Sequence, residues 1–378
     1  MIFRKIASVF FILLLTLNLG CKTSRDAISN YEYKPPEKQA DGWNVSTLSD
    51  QNIDVAPILE LVNSILNDRY TDIHSLLISR NGDLVFEEYF NGFDSDDFHV
   101  LFSATKSYSS TLIGLAIEAG HIASVDEPIA HFFTDKAALF TEEKREITLA
   151  DLLTMTAGFQ WDEWTTSGLS LANSHEQMMQ SVSQVDYVLG LPLVSKPGTN
   201  FTYNTGLSNL MAPIIETATG ESIAHYMQQE LFSKLDITNY RWQTVIDDYP
   251  STGGSRGGLE MKPRDMIKLG QLFLDGGTWK GEQVISSTWV SEALKPRISE
   301  SEHINYGYQW WNRTYFSKNG VSVIEYDAVG DGGQWIFIFP EYELIVGFTG
   351  GNYTWVKEKS LMFQPVNMVQ HFILPAIN

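Results

Sequence analysis

Two β-rich stretches at opposite ends of the chain limit its fold more than any other feature. Residues 74–80 and 83–90 are rich in aliphatic and aromatic side chains and are joined by Asn81-Gly82, a pair suited to the two-residue turn of a β-hairpin. Residues 334–339 and 343–349 repeat the pattern around Pro340-Glu341, with another β-rich run at 322–326 before them. Both ends are therefore expected to contribute antiparallel strands to one sheet. Between them the chain reads as helix and loop. At 54–68, Ile58, Leu61, Val62, Ile65 and Leu66 recur at helical spacing, which predicts an amphipathic helix laid on the sheet. Pro263 stands where a first helical turn tolerates it, ahead of Met266, Ile267, Leu269, Leu272 and Phe273 at the same spacing. No fixed-period repeat interrupts this order. The expected class is α+β, with a sheet-bearing lobe of about 45–105 and 285–378 and a mostly helical lobe, about 106–284, inserted into it. A crevice between two such lobes is the default place for a site.

Charge and cysteine content narrow the functions. A formal net charge of -20 over 378 residues, 43% of them hydrophobic, allows a large core but repels nucleic acid and anionic membrane surfaces. Neither is an expected partner. Cys21 is the only cysteine, so an intramolecular disulfide and a structural thiolate metal site are both excluded. Arg4 and Lys5, an apolar run at 6–17 and the small residue before Cys21 read as an export signal. That run is shorter than the about 20 apolar residues of a spanning helix. Leu17-Asn18-Leu19-Gly20-Cys21 resembles a bacterial lipoprotein signal, an ordinary secretory signal being the alternative. The lipoprotein reading implies removal of residues 1–20, lipidation of Cys21, a polar tether over 21–44 containing Pro35-Pro36, and attachment to the bacterial cell envelope by lipid alone.

The chemistry centres on Ser103 and Lys106. A serine hydroxyl is a weak nucleophile at neutral pH and needs a base within hydrogen-bond reach. Residues three apart on a helix share a face, and Ser110, Leu112, Ile113, Leu115, Ala116 and Ile117 downstream predict a central helix buried nearly all round. Burial and the positive helix N-terminus both favour the uncharged amine, so Lys106 can serve as a neutral base. The alternative is a lysine at a solvent-facing helix end.

Here the chain resembles the serine β-lactamase and penicillin-binding-protein superfamily, in which S-x-x-K opens the central helix. Within it, the class C-like branch that includes carboxylesterases, D-amino-acid peptidases and 6-aminohexanoate-dimer hydrolases is most similar. The likeness covers about residues 45–375 and rests on "SATKS", "LLTMTAGFQWDE" from Leu152, "KPGTNFTYNTG" from Lys196, "SRGGLEMKPRDMIKLGQLFLDGGTW" from Ser255, "YGYQWW" from Tyr306 and "AVGDGGQWIFIFP" from Ala328. It implies a β-lactamase-like fold, a serine hydrolase acting through an acyl-enzyme on Ser103, and no cofactor or metal.

The family's second element, a tyrosine with a polar residue two positions on, matches Tyr203-Asn204-Thr205. By resemblance Tyr203 is the general base in acylation and the general acid to the leaving group, and Thr205 a substrate contact where other members often carry Asn. A core-edge tyrosine is the bland alternative. The third element, K-T-G or H-x-G, matches Ala328-Val329-Gly330 without its basic residue. That residue helps penicillin-recognising members bind a carboxylate, so a neutral ester or amide is the expected substrate, ahead of a β-lactam or D,D-peptide. The resemblance also implies an oxyanion hole made by the N–H groups of Ser103 and Asp331, with Gly330 allowing close approach. Trp161, Trp164, Trp310 and Trp311 fall in motifs expected to border the crevice, either holding substrate hydrocarbon or packing. Arg256 is a candidate replacement for the missing cation.

Three other readings compete. Gly253-Gly254-Ser255-Arg256-Gly257 matches the G-x-S-x-G nucleophile elbow, which requires a buried strand before it and a helix after it. The eight histidines are scattered, with no H-E-x-x-H helix, and no phosphate-cradling G-x-x-x-x-G-K-[ST] occurs. A slow-turnover binder of peptidoglycan-like ligands or β-lactams would keep the acylation of Ser103 and lack deacylation.

Overall fold

In the computed structural model, which describes residues 31–164, 172–242, 249–254, 257–316 and 322–377, Asn81 and Gly82 both take positive φ, 52° and 81°. Such values suit the tight turn of a hairpin, and Asn and Gly are the residues that adopt them most readily. The turn folds β2 (Ile73–Arg80) onto β3 (Asp83–Tyr89), after the short β1 (Asn44–Val45). At the other end lie β4 (Ile298–Ser301), β5 (Ile304–Tyr306), β6 (Trp311–Phe316), β7 (Ser322–Gly330), β8 (Gln334–Phe339) and β9 (Leu344–Gly350). Together they form a nine-stranded sheet in the order β1-β3-β2-β9-β8-β7-β6-β5-β4, antiparallel except for the β1–β3 pair. The junction of the two chain ends is the β2–β9 pair, with Ile78 opposite Val346.

Each face of the sheet buries its own layer. On one side α1 (Val55–Leu66), started by the Asp54 side chain accepting from Ala56 N–H at 3.0 Å, buries Ile58, Leu61, Val62 and Ile65 with Leu76, Ile78, Phe337 and Val346. Each such aliphatic side chain contributes about 1.5–3 kcal/mol on burial. On the other side α2 (Thr105–Glu118), buried from Thr105 to Ala116, packs with Ala328, Ile336, Ile338 and Ile345. Helix α2 is tied sideways by hydroxyls. Ser107 Oγ donates to Gln309 O at 2.8 Å, Ser110 Oγ to Tyr308 O at 2.7 Å and Tyr108 OH to Met266 O at 2.8 Å.

The helix expected after Pro263 is two helices, Pro263–Met266 and Lys268–Leu274, separated at Ile267. Strands β4 to β6 fall where no strand was expected; β4, at the sheet edge, leaves Ser299, Glu300 and Ser301 exposed, which removes the alternating apolar signal. A small sheet delivers the chain to the site. His99–Val100 pairs with Leu259–Met261, and Leu101 N–H then donates to Leu259 O at 2.7 Å. Among the described residues no helix is long and apolar enough to cross a membrane. The signal at residues 1–20, Cys21 and the candidates Ser255 and Arg256 lie outside the described residues, but the second half of the expected tether, from Tyr31 on, is packed on the fold: Tyr33 OH donates to Val85 O at 2.7 Å and Trp43 is buried, its Nε1 donating to Arg264 O at 3.0 Å.

Candidate active site

Ser103 sits in a single 3-10 turn, Phe102–Ala104, that runs directly into α2. The residue before it, Phe102, has φ of +46°. A bulky residue in that region stores about 1–3 kcal/mol of strain, which the surroundings must hold in place. They do so by close backbone packing. A Cβ on Gly254 would collide with the Phe102 carbonyl and Ser103 N, and one on Gly330 with Leu101 O, so the glycine-rich stretch and the end of β7 both press on the backbone around Ser103.

Lys106 lies one turn into the fold from Ser103, as the spacing predicts, and is 1% exposed. Its Nζ is 2.9 Å from Ser103 Oγ and 3.2 Å from Thr205 Oγ1, and it also donates to the Gly253 carbonyl. No carboxylate lies within ion-pair distance of it among the described residues. Burial therefore pushes its pKa down to about 8, against the charge of Glu163, which pulls it upward. The ring of Tyr203 lies 4.9 Å from Nζ. Burial holds the Tyr203 phenol well above its ordinary range; the Glu163 charge adds to the effect and the nearby Ser103 hydroxyl opposes it.

Thr205 opens a short helix, Thr205–Asn209, capped by Asn204, and its placement brings in a residue that the sequence reading did not single out. Glu163 accepts from Thr205 Oγ1 at 3.0 Å, from Thr205 N–H at 2.9 Å and from Trp161 Nε1 at 2.7 Å. Trp161 thus fastens Glu163 and stays largely buried, with Gly206 directly beneath its ring. Gly253 is the second residue missed, because it acts through its carbonyl. Neither carries a sequence signal: Glu163 is one acid in a loop, inside a quoted motif but without distinctive spacing.

Ala328 is buried on the α2 side of β7, on the same strand face as Gly330, and supplies no polar group. Asp331 follows directly, its carboxylate accepting from Thr354 N–H at 3.0 Å and pushed upward in pKa by burial. A cation near it is Lys359, whose Nζ lies 3.7 Å from the centre of the Trp164 ring and whose charge is felt by both Asp331 and Glu163. It comes from a segment the sequence reading did not connect with the site.

The tryptophans divide. Trp311 stacks on Tyr203 at 5.8 Å and the half-exposed Trp164 lies 5.7 Å from it. Trp310 departs from the expectation of a crevice residue: it is fully buried against Phe273 at 4.6 Å, because neighbours on an extended chain point to opposite faces. The nucleophile elbow at 253–257 also fails, since the next element is the strand Leu259–Met261 where an elbow needs a helix. Among the described residues no three His, Cys, Asp or Glu side chains are grouped to hold a metal.

The chain matches the family model described as Beta-lactamase over residues 74–351, and it belongs to that family. It is a serine hydrolase. It is 25% identical over 298 residues to the 6-aminohexanoate-dimer hydrolase of Paenarthrobacter ureafaciens, covering 74% of this chain and 72% of that one. It is 26% identical over 203 residues to the lovastatin esterase of Penicillium rubens, covering 48% of each. Its fold is similar to that of EstCE1, a hydrolase with promiscuous acyltransferase activity, with a TM-score of 0.68 at 13% identity over 86% of this chain and 100% of that one.

Proposed function

We propose that this protein cleaves an ester or amide bond in a small substrate through an acyl-enzyme on Ser103. The observation that carries the reading is the 2.9 Å contact between Ser103 Oγ and a buried lysine that has only uncharged acceptors around it. In acylation the Ser103 O–H proton passes to neutral Lys106 as Oγ bonds to the carbonyl carbon. The carbonyl π pair moves onto oxygen, where the N–H groups of Ser103 and Asp331 receive it; the tight approach of Gly330 to Leu101 supports that placement. Collapse breaks the bond to the leaving group, which takes the Tyr203 phenol proton, and Lys106 ammonium then reprotonates Tyr203. The raised phenol pKa supports this acid role and leaves the base to Lys106. Water repeats the sequence on the acyl-enzyme and frees Ser103.

An uncharged acyl or leaving group fits best, because buried Ala328 replaces the family's basic residue. A lovastatin esterase and a 6-aminohexanoate-dimer hydrolase among the relatives support a small-substrate hydrolase of this kind. The leader supports export with a lipid at Cys21, which mass spectrometry of the mature N-terminus tests. The central test is intact-protein mass spectrometry after a fluorophosphonate probe, beside p-nitrophenyl butyrate turnover. One adduct, lost in Ser103→Ala together with turnover, is the expected result. An adduct without steady-state turnover would instead favour a slow binder, and no adduct would end the serine mechanism.

A further inference from the structure

We propose that Glu163 is a positioning residue for acyl transfer: it makes the Thr205 hydroxyl an acceptor toward Lys106 and thereby aims the lysine lone pair at Ser103. The inference rests on the serine-hydrolase reading above. A threonine hydroxyl has one proton to donate. Glu163 takes it, since Thr205 Oγ1 lies 3.0 Å from Oε1 and a carboxylate can only accept. Thr205 Oγ1, 3.2 Å from Lys106 Nζ, can then only accept from the amine. The Gly253 carbonyl can also only accept.

A neutral amine has two N–H bonds and one lone pair. Two obligatory acceptors use the two N–H bonds, which leaves the lone pair in the remaining direction, toward Ser103 Oγ at 2.9 Å. Were the Thr205 proton free to turn, it would engage that lone pair, and Ser103 would lose its base. The Trp161 indole and the Thr205 amide, both on Oε2, hold the carboxylate in the orientation this needs. The titratable groups facing this pair are Tyr203, Tyr306 and Lys359, all of which sense the Glu163 charge. The same charge favours protonated Lys106, so its removal makes the lysine titrate at lower pH.

The test measures p-nitrophenyl butyrate kcat and KM against pH for wild type, Glu163→Gln, Thr205→Val and Thr205→Ser, with fluorophosphonate labelling of Ser103 in each. Glu163→Gln is expected to lower kcat about 10–100-fold with KM little changed. It should also displace the acid limb of kcat/KM by about 1 pH unit toward lower pH. Thr205→Val should lose a similar factor in kcat while its acid limb stays in place, and Thr205→Ser should restore most of the rate. An acid limb unmoved in Glu163→Gln, or a serine variant no faster than the valine one, overturns the proposal. If Glu163→Gln does not fold, the two Thr205 variants still decide it. Wild type that neither labels nor turns over would sink the hydrolase reading itself, a result distinct from active wild type with indifferent variants.

Discussion

Among the described residues two lysines are fully buried, and their surroundings give them opposite uses. Lys268, 0% exposed, forms an ion pair with Asp265 at 2.6 Å and donates to Asp236 O at 3.2 Å. Lys106, 1% exposed, is met by a hydroxyl, a serine and a carbonyl, and its nearest acid, Glu163, acts through Thr205. A buried ammonium is stable only with a counter-charge beside it. Lys268 has one and joins elements together; Lys106 lacks one and is poised to shed its proton.

Several variants can break or sharpen this contrast. Ser103→Ala has the largest expected effect, at least about a 10³-fold loss of kcat/KM for p-nitrophenyl butyrate with the melting temperature nearly unchanged. Lys106→Met should lose about 10²–10⁴-fold in the same assay while urea unfolding shows stability within about 1 kcal/mol of wild type, since the cost of burying the charge goes with the amine. Lys268→Met should do the reverse, losing about 3–5 kcal/mol by stranding Asp265 while the folded protein keeps its turnover. A stable Lys268→Met beside an unfolded Lys106→Met would break the comparison.

The pH dependence is a finer probe. The acid limb of kcat/KM is expected near pH 8, where Lys106 loses its proton, with about tenfold less activity per unit below it. The folded pKa of Lys106 lies below its unfolded value, so its contribution to stability is full above the unfolded value and is lost as pH falls through about 8. Lys106→Met should abolish that trend in unfolding measurements between pH 8 and 10. The smallest effects separate the tryptophans. Trp310→Phe should cost about 1–3 kcal/mol of stability and leave KM alone, whereas Trp164→Ala should raise KM severalfold and leave stability alone.

The hairpins and the Ser103–Lys106 pair were legible because each is local. Asn81-Gly82 sets its own turn, and residues three apart along a helical turn share a face wherever that helix ends up. Strands β4 to β6 were illegible because their short, polar-rich segments pair only in the presence of the rest of the sheet. Glu163 and Gly253 were illegible because their partners lie 42 and 147 residues away. Trp310 was misplaced because motif membership does not say which face of the chain a side chain takes.

By itself, then, the sequence determined which groups could react: a nucleophile, an amine one turn on, and a tyrosine followed by a hydroxyl. Whether that amine can be neutral depends on the tertiary structure. Protonation depends on how much water is lost and which acceptors stand nearby, and for Lys106 both depend on Thr205, Glu163 and Gly253, brought to it from distant parts of the chain.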